Sequence, residues 1–270
     1  MPLRRPFALL FLACAAIRPP AAAAQVLVTS GTVVEHTAAP GASWSGTIRL
    51  HNAGARAQDA GAYLADYAFQ ADGATRYTPS GSSPRSSGAW ITLSPARVTV
   101  PAGGDATIAY TVRVPAGRPL TGTYWSMVMV QGLDDAGDAA ARSGGRVRMG
   151  IRPTIRYGVQ LATTVAGTGT ARAAFTSPRA EAGAGGHRTL HFDVVNDGET
   201  AYRPAVRLEL FDAEGNARGR WEAKRGLLYP GSSLHQAFDL GALPAGAYQA
   251  LVVADAGGES VFGARYRLTL

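Results

Sequence analysis

The sequence is poor in the residues that do covalent and metal chemistry. It has one cysteine, Cys14, and one lysine, Lys224. Cys14 precedes the small residues Ala22, Ala23 and Ala24, so a chain cleaved after Ala24 has no thiol, no disulfide and no cysteine metal site. No apolar run approaches the roughly 20 residues that a membrane-spanning helix requires. The longest, Phe7 to Ile17, follows Arg4 and Arg5, and together with the alanines it has the form of a secretory signal peptide over residues 1–24. The processed chain is expected to be soluble and exported, either to a periplasm or to the exterior. A second reading takes Phe11-Leu12-Ala13-Cys14 as a lipobox, which would make the product a lipoprotein anchored through Cys14.

Charge of one sign is not concentrated anywhere. Of 26 basic residues, Arg4, Arg5 and Arg18 fall in the leader, leaving 23 against 19 acidic residues, a net +4. The arginines are scattered and lack flanking aromatics on which bases could stack, which argues against nucleic acid as a partner.

What the sequence does have is short apolar alternation broken by turns. Trp44, Gly46, Ile48 and Leu50 alternate with Ser45, Thr47, Arg49 and His51. Ile108, Tyr110, Val112 and Val114 do the same later, and Leu190, Phe192 and Val194 repeat the pattern in the second half. A period of two puts one side of each run on a core. Further strands are expected at Val26–Thr29, Tyr63–Phe69, Trp90–Leu93, Arg97–Val100 and Gly122–Gln131. In the second half they are expected at 171–176, 187–195, 203–211, 218–228, 234–240, 247–254 and 260–269. Turn signals such as PAGGD, NDGET, DAEGN and LPAG separate them. The fold class that follows is all-β, two immunoglobulin-like β-sandwich domains in tandem, at 25–164 and 165–270, with the boundary in the glycine- and threonine-rich VAGTGTA.

One segment is too long for that scheme. From Val147 to Leu161 the odd positions Val147, Met149, Ile151, Pro153, Ile155, Tyr157, Val159 and Leu161 alternate with polar residues or glycine without a break. Fully extended, it would span on the order of 50 Å. Pro153 lacks the amide hydrogen of a central ladder and so favours a sheet edge or a kink. An apolar edge invites aggregation, and a protein that keeps one can use it to join a partner's sheet. Val147, Met149, Ile151, Ile155 and Tyr157 are the candidate partner-strand binding residues. The bland alternative is a long strand packed in the first core and running into the linker.

The pieces around this segment resemble the periplasmic chaperones of chaperone-usher pilus assembly. LTGTYWSMVMVQ (120–131) is similar to that family's aromatic-rich strand, DDAGDAAARSGG (134–145) to the loop after it, and RVRMGIRPTIRYGVQL (146–161) to its long alternating strand. WITLSPARVTVPAGGDATIAYTV (90–112) is similar to the stretch that leads in, and the resemblance covers residues 26–161. It implies a secreted fibre or surface-protein subunit as partner. It also implies that basic residues in the cleft between domains anchor the subunit's terminal carboxylate. Arg156 then stands where the family has a lysine, and Arg152, on the same side of the strand, is the second candidate anchor. The family's first-strand arginine has no counterpart in VTSGTVV (28–34), and Leu120-Thr121-Gly122-Thr123 replaces its Arg-Glu-Ser. A weaker resemblance, carried by PAGGDATIAYTVRVP (101–115), is to WxL-interacting cell-wall proteins. It implies a cell-envelope polymer or surface protein as ligand, and hence the alternative function of a non-catalytic adhesion or cell-wall-binding module.

No catalytic or cofactor motif stands out. His187 and His191 lack the glutamate of a zinc-protease helix and lie in an alternating strand, so they read as solvent-facing. Asp134, Asp135 and Asp138 lack calcium-loop spacing. There is no G-x-S-x-G elbow, and SGSSPRSSG (80–88) reads as an exposed loop. AGAGG (182–186) is followed by no helix that could make it a phosphate loop. Trp44, Trp90, Trp125 and Trp221 read as core or core-edge residues rather than sugar platforms. The expectation is a binding protein with no cofactor, not an enzyme.

Overall fold

The computed structural model describes residues 26–133, 155–223 and 225–270. The leader, Cys14, the 134–145 loop and the site candidates Val147, Met149, Ile151 and Arg152 lie outside the described residues.

The alternating runs form strands, and almost all the described secondary structure is β. In the first half these are β1 (Val26–Val28), β2 (Val33–Ala38), β3 (Ser43–Asn52), β4 (Gln58–Phe69), β5 (Thr75–Pro79), β6 (Ile91–Ser94), β7 (Arg97–Val100), β8 (Asp105–Arg113), β9 (Thr123–Leu133) and β10 (Arg156–Val165). One sheet runs β1-β3-β8-β6. The facing sheet runs β2-β10-β9-β4-β5, with β7 also on β4. Ile48, Leu50, Ile108 and Val112 from the first sheet meet Val128, Val130, Val159 and Leu161 from the second in one core, all of them buried. Period two explains the burial: in β8, residues 108, 110 and 112 are buried while their neighbours face water.

The second half holds β11 (Ala174–Ala182), β12 (His187–Val195), β13 (Ala205–Asp212), β14 (Ala217–Glu222), β15 (Ser233–Ala242), β16 (Ala247–Asp255) and β17 (Val261–Thr269). They form a sheet β11-β12-β15 and a sheet β14-β13-β16-β17. Leu190, Phe192, Val194, Leu208, Leu210, Phe238 and Val252 fill the space between them. The result is two stacked-sheet sandwiches.

Several details differ from the sequence expectation for physical reasons. β2 and β5 were not anticipated. β2 (VVEHTA) does not alternate cleanly, because its glutamate and histidine face outward while it hangs on a sheet edge. β11 runs to Ala182 rather than stopping at 176. It does so through a register shift between Thr176 and Arg179, where Ser177 takes a positive φ of 55°. β14 ends at Glu222, and Leu228 instead forms an isolated bridge with Tyr202.

The halves share one device that fixes a turn. Asn52 is fully buried. Its Oδ1 accepts from Gly54 N–H at 2.9 Å, and its Nδ2 donates to the carbonyls of Arg56 (2.7 Å) and Val100 (3.1 Å). Asn196, also fully buried, does the same: Oδ1 to Gly198 N–H at 2.9 Å, and Nδ2 to the carbonyls of Thr200 (2.9 Å) and Leu228 (3.0 Å). Each closes the strand exit after β3 or β12 and ties it to a distant strand or bridge.

Where the halves meet, Gly122 has φ +71° and lies against Glu199. Its N–H donates to Thr168 Oγ1 at 3.0 Å. A Cβ here would overlap the Glu199 carbonyl. Gly122→Ala is therefore expected to destabilise by about 1–3 kcal/mol, read as a lower urea midpoint.

Candidate functional site

β10 is the last strand of the first sandwich, and its two edges are treated differently along its length. One edge pairs antiparallel with β9 from Arg156, opposite Gln131, to Thr164, opposite Thr123. The other pairs in parallel with β2, but only from Gln160, opposite Val33, to Val165, opposite Ala38. The cause is the route of the N-terminal segment. β1 pairs with β3 in the facing sheet, and the chain then crosses through Gly31 and Thr32 to join β10 as β2. Gln160 N–H donates to the Thr32 carbonyl at 2.8 Å, the first bond of that cover.

Backbone groups in a strand alternate sides. Those of Tyr157 and Val159 therefore face β9, while those of Arg156 and Gly158 point the same way as Gln160, ahead of β2. Among the described residues no strand pairs with that stretch.

The side chains there divide by face. Val159 and Leu161 are buried and Tyr157 packs partly against the first core. Ile155, just before the strand, is 47% exposed. On the outer face Arg156 is exposed, and its Nε donates to Gln131 Oε1 at 2.9 Å. Among the described residues no carboxylate is within ion-pair reach of Arg156. Gly158 is covered by Met127, whose sulfur occupies the place a Cβ would take. Met127 and Met129 pack with Ala65 and Tyr67, and Tyr63 (42%) and Tyr77 (55%) leave apolar surface exposed beside them.

Farther along the same face lies the cleft between the sandwiches. Its floor is a stack: the Trp125 and Tyr229 rings are 4.5 Å apart and 14° from parallel. Tyr229 is fully buried. Burial, the largest cause, pushes its phenol above the usual tyrosine range, with Glu35 and Tyr67 adding in the same direction. The hydroxyl therefore stays protonated and donates to Gln160 Oε1 at 2.8 Å. Arg203 reaches across to Glu35, with Nε 3.1 Å from Oε1. Ser233 Oγ donates to Gln70 Oε1 at 2.9 Å, and Ala201 N–H to Thr123 Oγ1 at 2.8 Å. A cavity of about 400 Å³ opens here, lined by Val33, Tyr67, Gln160 and Arg203 among others.

The structure thus brings Ile155, Arg156 and Tyr157 together at the end of β10 that no described strand covers, whereas Arg156 is not among the residues lining the cavity. Among the described residues that line the cavity the cation is Arg203, already paired with Glu35. Sequence reasoning missed Arg203, Glu35, Gln160 and Tyr229, since nothing in AYRPA or LLYPG marks a residue as bridging two sandwiches. Trp44, Trp90 and Trp125 are buried, as expected. No helix among the described residues is long and apolar enough to cross a membrane.

No family model matches the sequence, and no curated protein matches it either. Among solved structures, the chain is similar to the class 5 fimbriae chaperone CfaA at 11% identity, over 89% of this chain and 98% of that one, with a TM-score of 0.46. It is similar to the YadV chaperone at 15% identity, over 90% of this chain and 100% of that one, with a TM-score of 0.45. A third is the CsuC–CsuE chaperone–tip adhesion subunit pre-assembly complex from archaic chaperone-usher Csu pili of Acinetobacter baumannii, at 13% identity, over 90% of this chain and 98% of that one, with a TM-score of 0.44. Pilus chaperones thus recur among the solved structures that this chain is similar to, all at low sequence identity.

Proposed function

We propose that this is an exported, non-enzymatic, chaperone-like protein that binds a secreted fibre or surface-protein subunit by adding a strand of that subunit to β10. The observation that carries the reading is the half-covered edge: β2 covers Gln160 to Val165, and among the described residues no strand pairs with the backbone groups of Arg156 and Gly158 on that side. Unpaired donors and acceptors in a row form a template for another chain. The exposed Ile155 and half-buried Tyr157 supply alternate side chains for a partner's pockets, and main-chain hydrogen bonds supply affinity. Arg156, unpaired by any carboxylate among the described residues, adds a preference for acidic groups on the incoming segment.

Co-purification from the native host is expected to return a fibre or surface subunit. Arg156→Pro removes one outward N–H and leaves the β9 ladder, to which residue 156 does not donate. Ile155→Asp places a charge where an apolar side chain projects. Each is expected to weaken capture at least about tenfold, equivalent to about 1.4 kcal/mol, with the melting midpoint little changed. Capture at wild-type strength by both folded variants rules out addition at this edge. Sedimentation with purified envelope polymers separates the cell-wall alternative, since a chaperone stays in the supernatant.

A further inference from the structure

How far β10 is covered depends on what keeps β2 in place. β2 pairs in parallel with β10 from Gln160 to Val165, and among the described residues no strand pairs with its other edge. Parallel ladders hold slightly less per residue than antiparallel ones. Its side chains add little burial: Val33, Glu35, His36 and Thr37 are exposed, Val34 is half-buried, and Ala38 alone in the strand is buried. Only Val34 and Ala38 of β2 pack on the first core. In β9, by contrast, residues 125–130 are all buried. Burial alone therefore holds β2 weakly.

Two side chains tie the strand down. The His36 ring stacks on Trp44, with centroids 4.7 Å apart and planes 26° from parallel. On the other face, Glu35 Oε1 accepts from both Nε and Nη2 of Arg203, Nε at 3.1 Å. Arg203 belongs to the second sandwich and stands on a fixed base. Tyr202 before it exchanges two backbone hydrogen bonds with Leu228, at 2.8 and 3.2 Å, and its hydroxyl donates to the Arg172 carbonyl at 2.6 Å. Pro204 after it disfavours helical backbone at Arg203. Glu35 lies opposite Ala162 in the ladder. The pair thus grips β2 midway between its end bonds, Gln160 N–H to the Thr32 carbonyl and Ala166 N–H to the Ala38 carbonyl.

We propose that Arg203 is a positioning residue of the edge site: it latches β2 onto β10 from the second sandwich and so sets where the covered stretch begins. This rests on the reading of β10 as the binding edge, while the latch itself is a property of the protein without a guest. With β2 lifted, β10 keeps its ladder to β9 from Arg156 to Thr164. The backbone groups of Gln160, Ala162 and Thr164 then join those of Arg156 and Gly158 on the side facing away from β9. The guest that this admits is a longer extended segment, with apolar side chains four residues apart in the places that Val34 and Ala38 leave. Breaking the Arg203–Glu35 pair is the added cost that such a segment meets. The two side chains are 42% and 45% exposed, so the pair shifts the opening of β2 several-fold and does not lock it.

The test is amide hydrogen exchange in the full processed chain, read residue by residue by nuclear magnetic resonance. The amides of Gln160, Ala162 and Thr164 point at β2, and those of Tyr157, Val159 and Leu161 at β9. Arg203→Ala and Glu35→Gln are each expected to speed exchange in the first set about two- to fivefold, with the second set little changed. Arg203→Glu is expected to raise it further, and the charge swap Glu35→Arg/Arg203→Glu to bring it back to within about twofold of wild type. A role of the Arg203 stem in packing alone would not be rescued by the swap. Circular dichroism checks that the variants stay folded. Unchanged exchange at Gln160, Ala162 and Thr164 in folded Arg203→Ala overturns the proposal, as does a swap that fails to restore protection. Failure of the edge reading shows separately, as capture unaffected by Arg156→Pro and Ile155→Asp, and the latch is judged by exchange alone.

Discussion

Tyr229→Ala is expected to lower stability by about 3–5 kcal/mol, the range for removing a fully buried aromatic ring. Three losses add up at this position. The ring leaves its stack on Trp125 and its edge contact with Phe69, whose centroid is 6.3 Å away. A cavity opens between the sandwiches, and Gln160 Oε1 loses its donor. Tyr229→Phe separates these contributions: it keeps the stack and loses only the hydroxyl, at an expected cost of about 1 kcal/mol. Guanidinium denaturation followed by tryptophan fluorescence measures both. Because Trp125 is the stacking partner, Tyr229→Ala also alters its emission in the folded state. A cost for the alanine variant no larger than for the phenylalanine variant would mean that the stack contributes little to holding the halves together.

The second large effect is expected at the buried asparagines. Asn52→Ala and Asn196→Ala each remove three hydrogen bonds, taking the acceptor from Gly54 or Gly198 N–H and a donor from two buried-turn carbonyls, of which that of Leu228 keeps Tyr202 N–H; the cost is about 2–4 kcal/mol. The aspartate variants are expected to be no better. An aspartate keeps the acceptor for Gly54 or Gly198 but turns two donated bonds into a carboxylate facing two carbonyl oxygens in a buried site. The damage is also expected to be regional. Hydrogen exchange in Asn52→Ala rises first in β3 and β7, and in Asn196→Ala first in β12 and around Leu228. Exchange that rises equally in both halves for either variant would contradict this assignment.

How much of this was legible in the sequence depended on how local each feature is. Period-two alternation in 44–51, 106–114 and 187–195 carried the strands and the two cores, because burial of every second residue writes itself directly into residue type. Ile155 and Tyr157 were singled out from alternation and Arg156 from the family resemblance, and they lie where no described strand pairs with the β2 side of β10. What uncovers them was not legible. β2 has no clean alternation, and its parallel pairing with a strand more than a hundred residues away leaves no local mark. The N-x-G signature at Asn52-Gly54 and Asn196-Gly198 was present in the sequence. It reads as an ordinary turn until both carboxamides are found between the sheets. His191 was expected to face solvent beside His187. Instead it meets His235 across the β12-β15 ladder, a pairing fixed by register rather than by spacing along one strand.

The cover on β10 has one more implication. Because β2 joins in parallel and starts at Val33, the length of β10 that no described strand covers, and with it the berth of the proposed guest segment, is measured out by Gly31 and Thr32, far upstream, and not by β10 itself. A chain that crossed between sheets two residues sooner would seal Gly158 and shorten that berth by one repeat of the pleat, with no change to β10 itself. The crossing stretch ahead of β2 therefore acts as a ruler.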